Sequence, residues 1–264
     1  MTSFARTMLA AASAMLLLFS AAPSHAGQAR VVVSVPPLHS LVSNLLRGVD
    51  TPELLMRERV ADHLIALDST QVEALRRADM VVWAGPELEG AIAEAGLIMP
   101  DLAVRSLTLG RHIPIMTPVQ DGTDQPGNAR DLRFWLDPRL VHHAVHVLAP
   151  ALVRLYPEAS ETILDNEIAL MAEIHQTEHN VRAALGTAQG TPLHLTNADL
   201  LYLEWRFNLP VSGCARGAFD PLGFNLTSGP ALYGKLMEGA RDTLAACMNS
   251  KPAETARHGD GHVL

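Results

Sequence analysis

The sequence lacks a basic cluster, a long apolar run and any repeat of fixed period. Lys and Arg number 20 against 28 Asp and Glu, for a net charge of −8. Phosphate contacts need clustered Lys and Arg, so a chain of this balance makes a poor nucleic-acid binder. The apolar run Met8–Phe19 holds twelve residues, and a membrane span needs roughly 20. Arg6 precedes this run and the small-x-small site Ser24-His25-Ala26 follows it, so Met1–Ala26 reads as a cleaved secretory signal. No lipoprotein-type cysteine follows the signal. Loss of Arg6 with the leader takes the mature charge to about −9. The expectation is a soluble, exported chain. Cysteine is scarce too, with only Cys214 and Cys247. In an exported chain such a pair points to a disulfide, worth roughly 3–4 kcal/mol in the chain-entropy account.

What is present supports a real core. Hydrophobic residues make up 48% of 264 positions, enough for one large or two modest domains. Arg30–Val35 reads as a buried β-branched strand ended by Pro36-Pro37, with a helix over Leu38–Leu46. Leu54–Met56 is a short strand. Asp68-Ser69-Thr70 caps a helix reaching about Ala78. Met80–Ala84 is a strand, Leu88–Ala95 a helix and Leu102–Leu107 a further strand. Strands alternating with helices imply βα units and a parallel sheet. Arg139–Leu155 is amphipathic, with Val141, Val145, Leu148 and Leu152 inward and a kink expected at Pro150. Pro157–Leu185 is the longest helical stretch, with a stripe drifting from Leu164, Ile168 and Met171 toward Ile174, Val181 and Leu185. Strands follow at Pro192–Thr196 and Leu209–Ser212, with a helix over Asn197–Phe207 between them and a last helix over Pro230–Met248.

The centre of this organisation is Asp131–Pro138, reading Asp-Leu-Arg-Phe-Trp-Leu-Asp-Pro, a strand-like run closed by a helix-start signal. It resembles the Asp-Pro-His-x-Trp-Leu-Asp-Pro segment of the metal-binding proteins of bacterial ABC importers for zinc and manganese. Val33–Val49, Ala78–Glu89 and Phe219–Gly223 resemble the same family, so the likeness covers nearly all of the mature chain. It implies an α/β fold of two lobes built from βα units with parallel sheets, joined by one long rigid helix. The segments expected are a signal peptide (1–26), an N-terminal lobe (27–156), a linker helix (157–185), a reduced C-terminal α/β lobe (186–250) and a disordered tail (251–264). The reduction is read from Cys214, which arrives almost at once after Leu209–Ser212, where relatives continue through further elements.

The resemblance carries four ligand positions, and two are kept. His63 and Asp220 stand where the family has metal ligands. Arg133 replaces a family histidine, and a guanidinium has no lone pair to donate. Asn197 falls where the family has His or Glu, and an amide oxygen suits hard ions better than zinc. Asp199 and His39 are supplementary candidates in the same cleft. The implied cargo is Zn2+ or Mn2+, with no catalytic cofactor. The implied partner is an inner-membrane ABC permease, the location is the periplasm and the chain is a monomer. An altered site leaves a second reading, a divergent relative that binds an anionic solute or chelate through Arg133 or regulates another protein.

Three other patterns are weaker. His175-Gln-Thr-Glu178-His179 matches the inverted zinc-protease pattern, with both histidines and Glu178 on one helix face, and gives a third reading as a zinc hydrolase. His142 and His146 form an i, i+4 pair on a polar face. Gly229–Lys235 imitates a phosphate loop but has Leu236 where Ser or Thr should follow the lysine, so it reads as a helix start. His258 and His262 belong to the polar tail.

Overall fold

The computed structural model describes residues 29–57, 66–117, 130–186, 201–208 and 219–249. Its base is a four-stranded, all-parallel sheet. Strand β1 (Val31–Val33) is three valines, buried on both faces as a central parallel strand requires. Helix α1 (Pro36–Leu45) starts two residues earlier than expected. Pro36 and Pro37 open the helix, where the missing N–H has no helical partner to lose. Strand β2 (Glu53–Leu54) is followed by α2 (Ser69–Arg77), whose start is a capping box between Asp68 and Gln71.

Strand β3 (Met80–Trp83) leads to α3 (Gly90–Ile98), α4 (Leu102–Arg105) and β4 (Ser106–Thr108). The expected strand at Leu102–Leu107 is therefore half helical. Arg105 reaches back one turn to Asp101 at 2.9 Å and holds that turn closed. The strand order is β2-β1-β3-β4. The chain leaves β1 toward one edge and β3 toward the other. The switch point, where open α/β sheets hold ligands, thus lies between β1 and β3.

Asp131–Pro138 is not a strand. Phe134–Leu136 forms a 3-10 turn, because the Asp131 carboxylate accepts the Arg133 amide at 2.9 Å and bends the chain. All three turn residues are buried. Helix α5 (Pro138–Leu155) follows, capped by Asp137 and continuous through Pro150. A 3-10 turn at Pro157–Ala159 connects it to α6 (Ser160–Leu185).

The inward stripe of α5 is as expected, with Val141, Val145, Leu148 and Leu152 fully buried. The first half of α6 is not. Leu164 and Ile168 are exposed, and Ile163 and Leu170 face inward instead, with Ile174, Val181 and Leu185 beyond them. The reason is that α6 is flanked by α5, α1 and the last helix together, which rotates its buried face by one position. Helices α7 (Leu201–Phe207) and α8 (Leu232–Asn249) complete the described elements. The apolar residues of α8 belong to the same core as those of β1 and α1. The expected strands at Pro192–Thr196 and Leu209–Ser212 lie outside the described residues.

Candidate ligand cleft

Two segments far apart in sequence meet through one bond. Trp135 is fully buried, and its indole Nε1 donates to the Pro221 carbonyl at 2.7 Å. The bond brings Asp220 alongside the turn that carries Arg133. The Asp220 carboxylate is oriented by its own backbone, with Oδ1 accepting from Leu222 N and Oδ2 from Asn225 N, both at 3.2 Å. Two amides use part of the roughly four acceptor sites of a carboxylate.

Arg133 is clamped rather than extended into solvent. Its Nε and Nη2 donate to Oδ1 and Oδ2 of Asp131, each at 2.9 Å. The two side chains are 16% and 5% exposed. A bidentate pair this sheltered fixes the guanidinium plane. It also offsets the positive charge beside any cation in the cleft.

A second pair locks the same turn from below. Asp137 is completely buried; it accepts the Arg139 amide at 2.9 Å as the cap of α5. Arg206 of α7 donates to both its oxygens at 2.5 Å. Tyr202, one turn earlier in α7, donates to the Asp131 carbonyl at 2.5 Å and accepts from Met116 N at 3.1 Å. Burial, above all, pushes the Tyr202 hydroxyl well above the usual phenol range, so it remains a donor. Arg206 and Tyr202 have no signal in the sequence, since each lies about 70 residues from its partner and belongs to no motif.

His39 lies in α1. Its Nε2 is 3.0 Å from the Pro52 carbonyl and therefore carries the proton, and Nδ1 faces the Ser43 hydroxyl at 3.5 Å. Burial lowers its pKa against the pull of the Pro52 bond, and Arg57 lowers it further. The ring joins α1 to the start of β2. His63, Asn197, Asp199 and Cys214 lie outside the described residues, and with Cys214 goes the expected Cys214–Cys247 bond.

The histidines of α5 and α6 meet without forming a ligand set. The rings of His142 and His175 are 4.2 Å apart, edge to face. His146 Nδ1 is 2.9 Å from Glu167, and Glu178 pairs with Arg182 at 2.8 Å and Arg139 at 3.8 Å. Among the described residues, no three of His, Cys, Asp and Glu are placed to hold a metal ion. Of the would-be phosphate loop, Pro230 offers its carbonyl to Ser40 Oγ and Asn44 Nδ2, each at 2.8 Å, so this stretch docks α8 on α1. No described helix is long and apolar enough to cross a membrane.

A family model described as zinc-uptake complex component A, periplasmic, matches residues 31–223, well over half of the chain. The high-affinity zinc uptake system protein ZnuA of Yersinia pestis is 24% identical over 76% of this chain and 69% of its own length. ZnuA of Brucella abortus is 37% identical over a shorter stretch, 30% of this chain and 23% of its own. Among solved structures, a zinc-bound deletion mutant of ZnuA superposes with a TM-score of 0.65 at 15% identity, covering 86% of this chain and 100% of that one. Zn(II)-bound AdcA from Streptococcus pneumoniae gives 0.64 at 15%, over 86% of this chain and 59% of its own. At such identities the structures speak for the fold.

Proposed function

The chain belongs to the family of periplasmic component A of zinc-uptake complexes, and from that membership we propose that it is the solute-binding component of an ABC importer for a divalent metal. It works by capture and release, in the periplasm, handing its cargo to a membrane permease. No catalytic step is assigned to it. The observation that carries this reading is the Trp135–Pro221 bond, which keeps Asp220 beside the Arg133 turn.

His63 and Asp220 are the proposed protein ligands, with Asn197, Asp199 or water completing the shell. Zinc takes about four donors, with at least three from protein even at open sites. The set here is therefore thinner than zinc prefers. Zinc is the favoured cargo because the family and its relatives are zinc-uptake proteins. Manganese is the second choice, suited by the oxygen donors Asp220, Asn197 and Asp199. The residue type at Arg133 suggests a second reading, in which an anionic chelate or other anionic solute docks against the guanidinium, although Asp131 already pairs it.

Calorimetry with Zn2+ and Mn2+ tests the proposal, using the full chain with His258→Ala and His262→Ala to silence the tail. The expected result is zinc binding at micromolar Kd or tighter, weakened at least tenfold in His63→Ala and in Asp220→Ala. Binding of neither ion would overturn it and leave the anionic solute.

A further inference from the structure

Glu89 is the most deeply buried carboxylate outside the cleft that carries no cation. It is 1% exposed, and among the described residues no Arg, Lys or His bonds to it. Three donors surround it. Ser34 Oγ donates to Oε1 at 2.5 Å, Ala84 N to Oε1 at 3.2 Å and Gly85 N to Oε2 at 2.8 Å. Ser34 directly follows β1, and Ala84 directly follows β3. The carboxylate thus fills the switch point between those strands.

Its reach extends to the other two strands. Met56, just past β2, donates its amide to the Ser34 carbonyl at 2.9 Å. Gly110, just past β4, donates to the Ala84 carbonyl at 2.8 Å. The Glu89 side chain thus bridges the ends of β1 and β3, and backbone bonds continue from there to the ends of β2 and β4. Arg130, three residues before Arg133, donates to the Gly110 carbonyl at 2.9 Å at this same end of the sheet.

The charged groups on neighbouring elements are engaged elsewhere. Glu87 takes Arg130 at 2.7 Å, Arg133 takes Asp131, and His39 takes the Pro52 carbonyl. Among the described residues no cation bonds to Glu89 to offset its charge when it ionises. A neutral carboxyl suits the dry site and can share the short bond with Ser34 in either direction. An ionised carboxylate without a cation favours water.

We propose that Glu89 is a positioning residue whose proton sets how tightly the ends of β1 and β3 are drawn together. Loss of the proton to solvent favours opening of the β1/β3 corner, and its return closes the corner. Burial pushes the Glu89 carboxyl up to about 7, against the opposing hydrogen bonds. The opening equilibrium therefore climbs between the ordinary carboxylate range and neutrality, then levels off. The corner's behaviour is independent of the importer reading.

Hydrogen exchange on the full, metal-free chain between pH 5.5 and 7.5 tests this, with each rate corrected for intrinsic base catalysis. Protection of the Ala84 and Gly85 amides is expected to fall on the order of tenfold across this range, while amides in the middle of α5 hold steady. In Glu89→Gln the pH dependence is expected to vanish. Equal slopes in both proteins, or a slope shared by α5, would overturn the proposal. Should Glu89→Gln not fold, carbon-13 titration of the wild-type carboxyl decides: a midpoint near 7 supports the proposal and one near 4.5 sinks it. Because no metal is present, failure here is distinct from failure of zinc capture.

Discussion

Trp135 and Pro221 are joined by an indole-to-carbonyl bond of 2.7 Å across 86 residues of sequence. It directly tethers the turn bearing Arg133 to the turn bearing Asp220. Trp135→Phe keeps most of the ring but leaves a buried carbonyl without its donor. The expected cost is about 1–3 kcal/mol by urea unfolding. Zinc affinity should weaken at least tenfold in the same variant, because Asp220 loses its fixed position. Unchanged affinity would separate the tether from the cleft.

Arg133 is the residue most at odds with metal capture. Arg133→His supplies a nitrogen donor and removes a cation, so zinc binding by calorimetry should tighten by tenfold or more. The same change removes both guanidinium bonds to Asp131, which is 5% exposed on its side chain, and leaves it the residue-133 amide. Stability should therefore fall, by about 1–3 kcal/mol for a buried carboxylate that loses its charged donors. Gained affinity together with lost stability is the signature to look for.

Asp137 holds both the start of α5 and the guanidinium of Arg206. Asp137→Ala removes a cap and strands a cation whose side chain is 11% exposed. Breaking a buried pair from one side costs about 3–5 kcal/mol. The double variant Asp137→Leu with Arg206→Met should recover part of that loss, since no charge is left buried. Chemical denaturation of the single and double variants checks the order.

Gly110 is tight by construction. A Cβ built there would lie 2.7 Å from the Ala84 carbonyl oxygen and 2.9 Å from Leu132 Cδ2. Backbone cannot yield as a side-chain tip can, so Gly110→Ala should destabilise by about 1–3 kcal/mol. Gly48, with a positive φ but open space around it, is the contrasting site, where only backbone strain opposes Ala.

Acid and neutral pH act on this fold in opposite ways. Glu89 has its folded pKa raised, from 4.5 to about 7. Its contribution to stability is fully present below 4.5 and is lost as pH rises through 7. His39 and His142 have theirs lowered, chiefly by burial. For them the unfolded chain takes the proton first, so stability present above about 6.5 is lost as pH falls. Urea midpoints at pH 5, 6, 7 and 8 should show Glu89→Gln gaining on wild type as pH rises. His39→Gln should flatten part of the acid loss.

Much of this architecture is legible in the residues themselves. The valines of β1, the Asp68 cap and the inward stripe of α5 are local signals, and local signals suffice for them. The turn at Phe134–Leu136 misleads because three successive apolar residues look like a strand. The Asp131 side chain that bends them acts through a hydrogen bond that no periodicity records. Leu164 and Ile168 mislead for another reason. A helix packed on three sides buries whichever face its neighbours require, and the positions of α1 and α8 are not written in α6. Asp220 stands out by its motif, whereas Tyr202, Arg206 and, away from them, Glu89 stand out only by what they touch.

The docking of α8 has a consequence for how the chain is made. Ser40 in α1 donates to the Pro230 carbonyl and accepts the Tyr233 amide, and Leu232, Leu236, Met237, Ala240 and Leu244 of α8 are all buried. The first helix and the last described helix are walls of one interior. Until α8 is delivered, the face of α1 and α6 that it covers stays open. That wall of the interior can therefore close only after nearly the whole polypeptide has been made.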